Sequence, residues 1–587
     1  MLPTHVRRPL YFAEPASAGP PTLRRLTARP LLRWISLILI CVGTLWFFTP
    51  TILDLWRPPI HVPAPSSPID DEPHSYEGAP TIPEPPPIPQ ILWEGRASKV
   101  RDAFVHAYSG YQKHALPFDE LLPLGGGATN NFNGWGVSVF DAMDTMWIMG
   151  LEDMFRQSVE VAAKSTFALQ EGFYAPFFET VIRYLGGLLS AYALSKEPVL
   201  LARADDLGRM LLPAFNTTSG FPMYAVNTIT GQTRPGWSGH VLWAEALSNQ
   251  IEYKYLAHLT GRTEYFEKTE HIMRKMYRSP IKNGQYPTMW DIHSGTPSNS
   301  HFSVGAFADS AHEYLLKQWL LTSQSEPKAR ELYLNSVSAI LNTLLYITPT
   351  RHLLYVTDTQ NGKPTHTFEH LSCFLPGLLA LGVHTLELSA GDRELHLWAA
   401  EGLAYTCWVS YADQASGLGP DEMRMKAWKP LAEGRWMVHV ERWKEEGRPG
   451  GIPPGLAEGK MKIAGERDYN SQKSAYLLRP EAIESFYLMW RTTGDKKWRD
   501  RGWAVFEAIE KHARTPYGYA AVGHVDMVPP PLMDSMPSYF LAETLKYLFL
   551  LFTNDDLIPL KDWVFNTEAH PIPIFQWKDW ERKQYKL

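Results

Sequence analysis

Apolar residues recur every three to four positions along most of this chain from residue 92 onward, the period of an α-helix with a buried face. Fourteen helical segments are expected, near 95–113, 138–149, 151–165, 178–195, 197–211, 239–259, 262–278, 305–322, 325–347, 370–386, 391–411, 479–494, 496–513 and 536–553. Many are apolar over more than one stripe, as helices sandwiched between neighbours should be. Breaks such as Gly186-Gly187, Thr260-Gly261 and Thr493-Gly494 end them. Strand candidates are short and confined to 221–235 and 280–304. An even number of helices with alternating short and long connections predicts an all-α fold of helical hairpins set in a ring.

One segment departs from this rhythm. Residues 412–475 are polar, rich in Gly and Pro, and too long for an ordinary connection, so they read as a functional flap or an insertion packed outside.

The N-terminal part has another pattern. Residues 1–33 carry Arg7, Arg8, Arg24, Arg25, Arg29 and Arg33 against the single acid Glu14. Residues 34–53 then hold no charge over about 20 positions, the length of a bilayer span. Arginine before the span and Asp54 after it predict an uncleaved signal anchor with a cytosolic tail, a single-pass type II arrangement. Residues 54–91 are dense in proline and read as an extended stem holding a lumenal domain, 92–587, away from the membrane.

Composition narrows the function. A net charge of −6 argues against a nucleic-acid partner, which would want a basic face. Three cysteines are too few for a disulfide scaffold; Cys41 falls in the span, and a Cys373–Cys407 bond fits an oxidising lumen. Asn216-Thr-Thr is a glycosylation sequon. The 21 tryptophans offer flat faces of the kind sugars stack on, although core packing is their commoner use.

Candidate chemistry lies at helix entrances. Pro480 suits a first turn, and Glu481 and Glu484 follow it on a helix whose Ile483, Phe486, Tyr487 and Trp490 form an apolar stripe. Glu179 opens another apolar helix, with Arg183 four residues on, and Asp309 opens a third. Taken singly these are dipole-complementing acids, an ion pair and an N-cap. Together, each at the same end of its helix, they would converge on one mouth if the helices form a ring, and two carboxyl groups with a water between them are what an inverting glycosidase needs. Asn566, Thr567 and Glu568 offer hard oxygens suited to Ca²⁺, or simply cap a turn. A rival motif is His366-Thr-Phe-Glu-His370, which matches the H-x-x-E-H zinc-peptidase pattern if it is helical.

The stretches Phe140-Asp-Ala-Met-Asp-Thr-Met-Trp-Ile-Met-Gly-Leu151, Phe178-Glu-Thr-Val-Ile-Arg183, Ala308-Asp-Ser310, Cys373-Phe-Leu-Pro-Gly377, Leu478-Arg-Pro-Glu481, Leu541-Ala-Glu-Thr-Leu-Lys-Tyr547 and Val564-Phe-Asn-Thr-Glu-Ala-His-Pro571 together resemble the class I α-mannosidases. These are the α-1,2-mannosidases of glycoside hydrolase family 47 that trim N-glycans in the ER and Golgi, and the resemblance runs from about Ala97 to Ile574. It implies an (αα)7 barrel and Ca²⁺-dependent hydrolysis of high-mannose N-glycans with inversion. Glu179 would be the general acid, Glu481 the general base and Asp309 a third essential acid. Thr567 would hold the Ca²⁺. Arg183, Glu245, Glu369, His370, Arg479, Glu484 and Glu568 would line the pocket, and the family's disulfide falls on Cys373 and Cys407.

Three positions depart from the family's pattern. Glu369 stands where an aspartate is usual, Pro537 where many members carry glutamate, and Phe307 where the ER-type enzymes tend to have arginine. The last leans toward broader, Golgi-like trimming. The 423–470 stretch is also longer than in most members. A mannosidase-like lectin with little turnover is the non-enzymatic alternative.

Overall fold

The computed structural model describes residues 90–459 and 467–587. The expected tail, membrane span and nearly all of the stem lie outside the described residues. Among the described residues no helix is long and apolar enough to cross a membrane.

Two kinds of helix alternate along the chain. Val137–Ile148 is buried along almost its whole length, whereas Glu152–Lys164, which follows it, buries only Phe155, Ser158 and Ala162. The same contrast separates Gly186–Ser195 from Pro198–Leu211 and Asp309–Leu321 from Pro327–Thr343. The buried helices form an inner ring. Val137–Ile148 touches Gly186–Ser195, and contacts then run on through Gln250–Thr260, Asp309–Leu321, Leu375–Thr385, Glu481–Thr493 and Leu545–Phe552. The turn Phe540–Thr544, just before the last of these, packs back on Val137–Ile148 and closes the circle. Each inner helix carries an amphipathic outer partner; that of Leu545–Phe552 is the first described helix, Gln90–His114. The fold is an α/α barrel, and the sequence pattern follows directly: inner helices are wetted on no side, outer ones on one.

Several expected boundaries shift for physical reasons. The 239–259 segment is not one helix but a strand, His240–Leu242, a single turn, Trp243–Leu247, and a second helix, Gln250–Thr260. The 370–386 segment begins as a 3₁₀ turn, His370–Phe374, before Leu375–Thr385. Pro480 is the cap residue, so Glu481 is the first residue of its helix. The 412–475 segment does more than pack outside. Its strands Glu422–Met425 and Tyr469–Lys473 pair antiparallel with each other, and the first also pairs with Thr367–Glu369, so the segment joins the wall next to His370. Its helix Trp436–Glu445 packs on the outer helix Pro327–Thr343. That helix and the C-terminal Asp579–Tyr585 were not expected.

Cys373 and Cys407 are disulfide-bonded and tie an inner helix entrance to the outer helix Ala390–Ala412. Asn216 is exposed, just past a 3₁₀ turn that ends at Phe215.

Candidate active site

The inner helices open with acids at one end of the ring, and two of them open irregularly. Thr180–Leu185 and Phe540–Thr544 are π-turns, which carry one extra residue and re-aim the side chains they hold, here Arg183 and Glu543. Gly186 lets the first of these lie close to the C-terminal loop, since a Cβ there would fall 2.5 Å from the Asn566 side chain.

Arg183 is the hub of the Glu179 side. Its Nε donates to Glu179 at 2.8 Å, and its Nη1 pairs with Glu568, with Asp141 beside it. Burial works against its charge, but Glu568, Glu179 and Asp141 outweigh that and lock the guanidinium in its charged form. Glu179 itself keeps 33% of its side chain open to solvent. Glu245 lies nearby. Its two oxygens accept from the Trp237 indole at 3.0 and 3.1 Å, and burial, with a smaller push from Glu179, raises it to about 7.

The Glu481 side is drier, with 13% of the Glu481 side chain exposed. His370 Nδ1 bonds the carboxylate at 2.7 Å and its Nε2 bonds the Tyr411 hydroxyl at 2.5 Å. A carboxylate only accepts, so Nδ1 carries the proton. Arg479 lies 3.8 Å away on the other oxygen and is held there by Asp421, at 2.7 Å, from the edge of the 412–475 segment. Burial would raise Glu481, but His370 and Arg479 outweigh it and keep the carboxylate below its ordinary range. Its neighbours go the other way. Asp309 is pushed to about 8 by burial and by Glu313, Glu369 and Glu481, and Glu484 to about 8 despite Lys317.

Between the two sides lies the floor. Trp563–Phe565 and Pro571–Pro573 form a hairpin packed on the helices Asp309–Leu321 and Gly186–Ser195. Asn566 braces its tip: its amide donates to Ile182 O and Glu252, and its oxygen accepts from Glu568 N and His570 N. Its side chain is therefore committed to the loop rather than offered as a ligand. Thr567 is only half-buried and its hydroxyl meets Glu313 at 3.3 Å. Around it Glu313, Glu484, Glu543 and Glu568 face the cations Lys317 and Arg183. Burial together with the neighbouring carboxylates pushes Glu543 and Glu568 far above their usual range.

A floor with more buried carboxylates than cations suits a hard divalent ion. The oxygens present are hydroxyl, carbonyl and carboxylate, the donors of Ca²⁺ rather than of zinc. Among the described residues no three His, Cys, Asp or Glu side chains close on a point as a complete metal shell. An ion on Thr567 would therefore take few direct protein ligands and leave positions for water and substrate.

The expected pocket residues Glu245, Glu179, Arg183, Glu568, Glu484, Glu481 and Asp309 lie in one continuous set, which the unexpected Glu543 links between Glu568 and Glu484. Glu369 lies within electrostatic reach of Asp309 and also has a structural part. Its carboxylate accepts from Ala306 N at 2.8 Å and holds the turn before Asp309. At Pro537, the next residue's N–H donates to the buried Glu120 carboxylate at 3.1 Å. The His366–His370 motif is not helical: Thr367–Glu369 is a strand, and His366 bonds Tyr355 while His370 bonds Glu481. Side chains that part this way cannot share a zinc ion. Glu543 and Glu313 were missed, although both carry a visible signal. Glu543 lies at the entrance of an apolar helix, and Glu313 lies one turn beyond Asp309 on the same face.

Comparison with known proteins agrees with this architecture. Mannosyl-oligosaccharide α-1,2-mannosidase IA of Drosophila melanogaster is 34% identical over 488 residues, 82% of this chain and 68% of that protein. The human endoplasmic reticulum mannosyl-oligosaccharide 1,2-α-mannosidase is 36% identical over 511 residues, covering 84% and 67%. The solved α-1,2-mannosidase from Trichoderma reesei superposes with a TM-score of 0.72 at 27% identity, over 82% of this chain and 99% of that one. The pattern of glycosyl hydrolase family 47 matches residues 103–574, and the chain belongs to that family.

Proposed function

We propose that this protein is an inverting α-1,2-mannosidase that trims high-mannose N-glycans, anchored in an ER or Golgi membrane with its barrel in the lumen. The observation that carries the reading is the contrast around Glu481. It is held ionised by His370 and Arg479 while Asp309 and Glu484 beside it are driven toward their neutral forms. A site that keeps one carboxylate basic among protonated neighbours has separated its base from its acids. Glu481 takes the proton of the attacking water, and Glu179, on the opposite wall, donates to the departing glycosidic oxygen.

The hydroxyl and carbonyl of Thr567 would hold Ca²⁺; the ion would draw Glu484, Glu543 and Glu568, which burial and mutual repulsion otherwise push toward their neutral forms, back to carboxylates that with Glu313 supply the compensating charge. Bound there, the ion would bring Lewis-acid orientation of sugar hydroxyls. Arg183 fixes Glu179 and Glu568 together, so the acid and the floor keep one geometry. The related enzymes named above support the substrate class, and the N-terminal span pattern supports the compartment.

A second reading of the acid has its own support. Asp309, raised to about 8 chiefly by burial, keeps its proton near neutral pH and so can serve as a proton reservoir. Loss of a general acid is masked by a good leaving group, so activity on an activated aryl mannoside separates the two. The acid's Gln or Asn variant keeps more of its activity there than on the oligosaccharide. The overall function is tested by mannose release from a high-mannose oligosaccharide with Ca²⁺ and with chelator. Release that chelation abolishes and Ca²⁺ restores is expected; binding without release would favour a lectin.

A further inference from the structure

His370 can hold Glu481 through Nδ1 only while that nitrogen carries a proton. A neutral imidazole bears its proton on either nitrogen, and the hydrogen bond made at one nitrogen decides the state of the other. The deciding bond here comes from outside the cavity. Tyr411, fully buried in the last turn of the outer helix Ala390–Ala412, meets His370 Nε2 at 2.5 Å. Burial pushes its phenol far above the usual range, so the hydroxyl keeps its proton and donates it to Nε2. A nitrogen that accepts carries no proton of its own. That leaves the ring's proton on Nδ1, facing Glu481 at 2.7 Å.

The surroundings hold the two rings in register. Cys407 lies four residues before Tyr411 on its helix, and Cys373 lies three after His370 in the 3₁₀ turn, so both cysteines share a face with the ring they accompany. The Cys373–Cys407 disulfide therefore staples together the two segments that carry the pair. On the other side His370 N donates to Asp421 O at 2.9 Å and fixes the backbone. A Cβ at Gly419 would fall 2.6 Å from the Tyr411 ring, so glycine is what lets the chain cross it. Tyr476 packs edge-on against the same ring at 5.9 Å.

We propose that Tyr411 is a positioning residue for the hydrolysis: by donating to His370 Nε2 it selects the tautomer whose Nδ1–H aims the Glu481 carboxylate at the attacking water. Tyr411 acts through His370 and has no contact of its own with the sugar. Its part in turnover rests on the reading of Glu481 as the base; its part in setting the tautomer does not.

Tyr411→Phe keeps the buried ring and removes only the donor. The other charged groups that act on or with Glu481, namely Arg479, Asp309, Glu484 and Glu543, stay in place. On the oligosaccharide kcat falls about fivefold, the worth of one hydrogen bond, and the acid limb of the kcat/KM profile moves up by about half a pH unit. The limb moves up because a carboxylate that loses its donor holds a proton more tightly. A loss at every pH with no movement of the limb, as a disturbed core would give, overturns the assignment. Added to His370→Ala, Tyr411→Phe costs nothing further, because the hydroxyl acts through the imidazole. A second loss of about fivefold in that background places its action elsewhere and overturns the assignment. Should the wild type release no mannose, the reading of Glu481 as the base fails, and nitrogen NMR of the protein labelled at histidine decides Tyr411 by itself. The resonances that His370→Ala removes then report a protonated Nδ1 and a bare Nε2 in the wild type and a different pattern in Tyr411→Phe. Two protonated nitrogens in the wild type, or one pattern shared by both proteins, overturn the assignment.

Discussion

The two walls of the cavity solve different problems. On the Glu179 side a third of the acid's side chain faces solvent and its partner is an arginine that also grips the floor. On the Glu481 side the carboxylate is almost dry and is held between a histidine and an arginine whose own partners are buried or pinned. Solvent access suits a group that exchanges protons with water between turnovers. A dry, cation-flanked carboxylate suits a group that must stay ionised while poised over a bound sugar. The difference teaches that burial alone does not set a carboxylate's role here. Asp309 and Glu481 open inner helices with one helix between them in the ring, and each feels the other's charge, yet one is raised and the other lowered, because only Glu481 has cations on its oxygens.

Substitutions sharpen that contrast in order of size. Glu481→Gln removes the base outright and is expected to lower kcat on the oligosaccharide by about 10³-fold or more, within the range of general-base catalysis. Glu179→Gln lowers it by a comparable factor on the oligosaccharide but by about tenfold less on an activated aryl mannoside. Steady-state kinetics on both substrates check this; equal losses on both for Glu179→Gln would transfer the acid role to Asp309.

His370→Ala leaves the reacting groups in place and removes the hydrogen bond that keeps Glu481 ionised. Because His370 lowers the Glu481 pKa, its loss raises that pKa, and the acid limb of the kcat/KM profile moves to higher pH. A fall in kcat of about tenfold near neutral pH, partly recovered as pH rises, is expected. A profile that drops at all pH values without moving would give His370 a purely structural part.

Much of this arrangement was legible beforehand because ring folds repeat one device. An apolar helix with an acid in its first turn is visible in single sequence, and Glu179, Asp309 and Glu481 were all found that way. Glu543 fits the same rule but sits in a π-turn that the 3.6-residue period does not reveal. The break at Ser248 and Asn249 was invisible because the apolar spacing continues through it. The rims are made of strands two to five residues long, too short to show an alternation. Contacts such as Arg183 with Glu568 span 385 residues and no local pattern encodes them. The bond that Glu369 accepts from Ala306 N, in a turn 63 residues earlier, is likewise invisible in its own motif.

The most direct test of the account follows the anomer of mannose first released from an α-1,2-linked oligosaccharide, by proton NMR, with Ca²⁺ present. If Glu481 activates a water opposite a protonated leaving group over a cation-bearing floor, β-mannose appears first and mutarotates to the α form, and chelation stops its release. First appearance of α-mannose, or release indifferent to chelation, would contradict it.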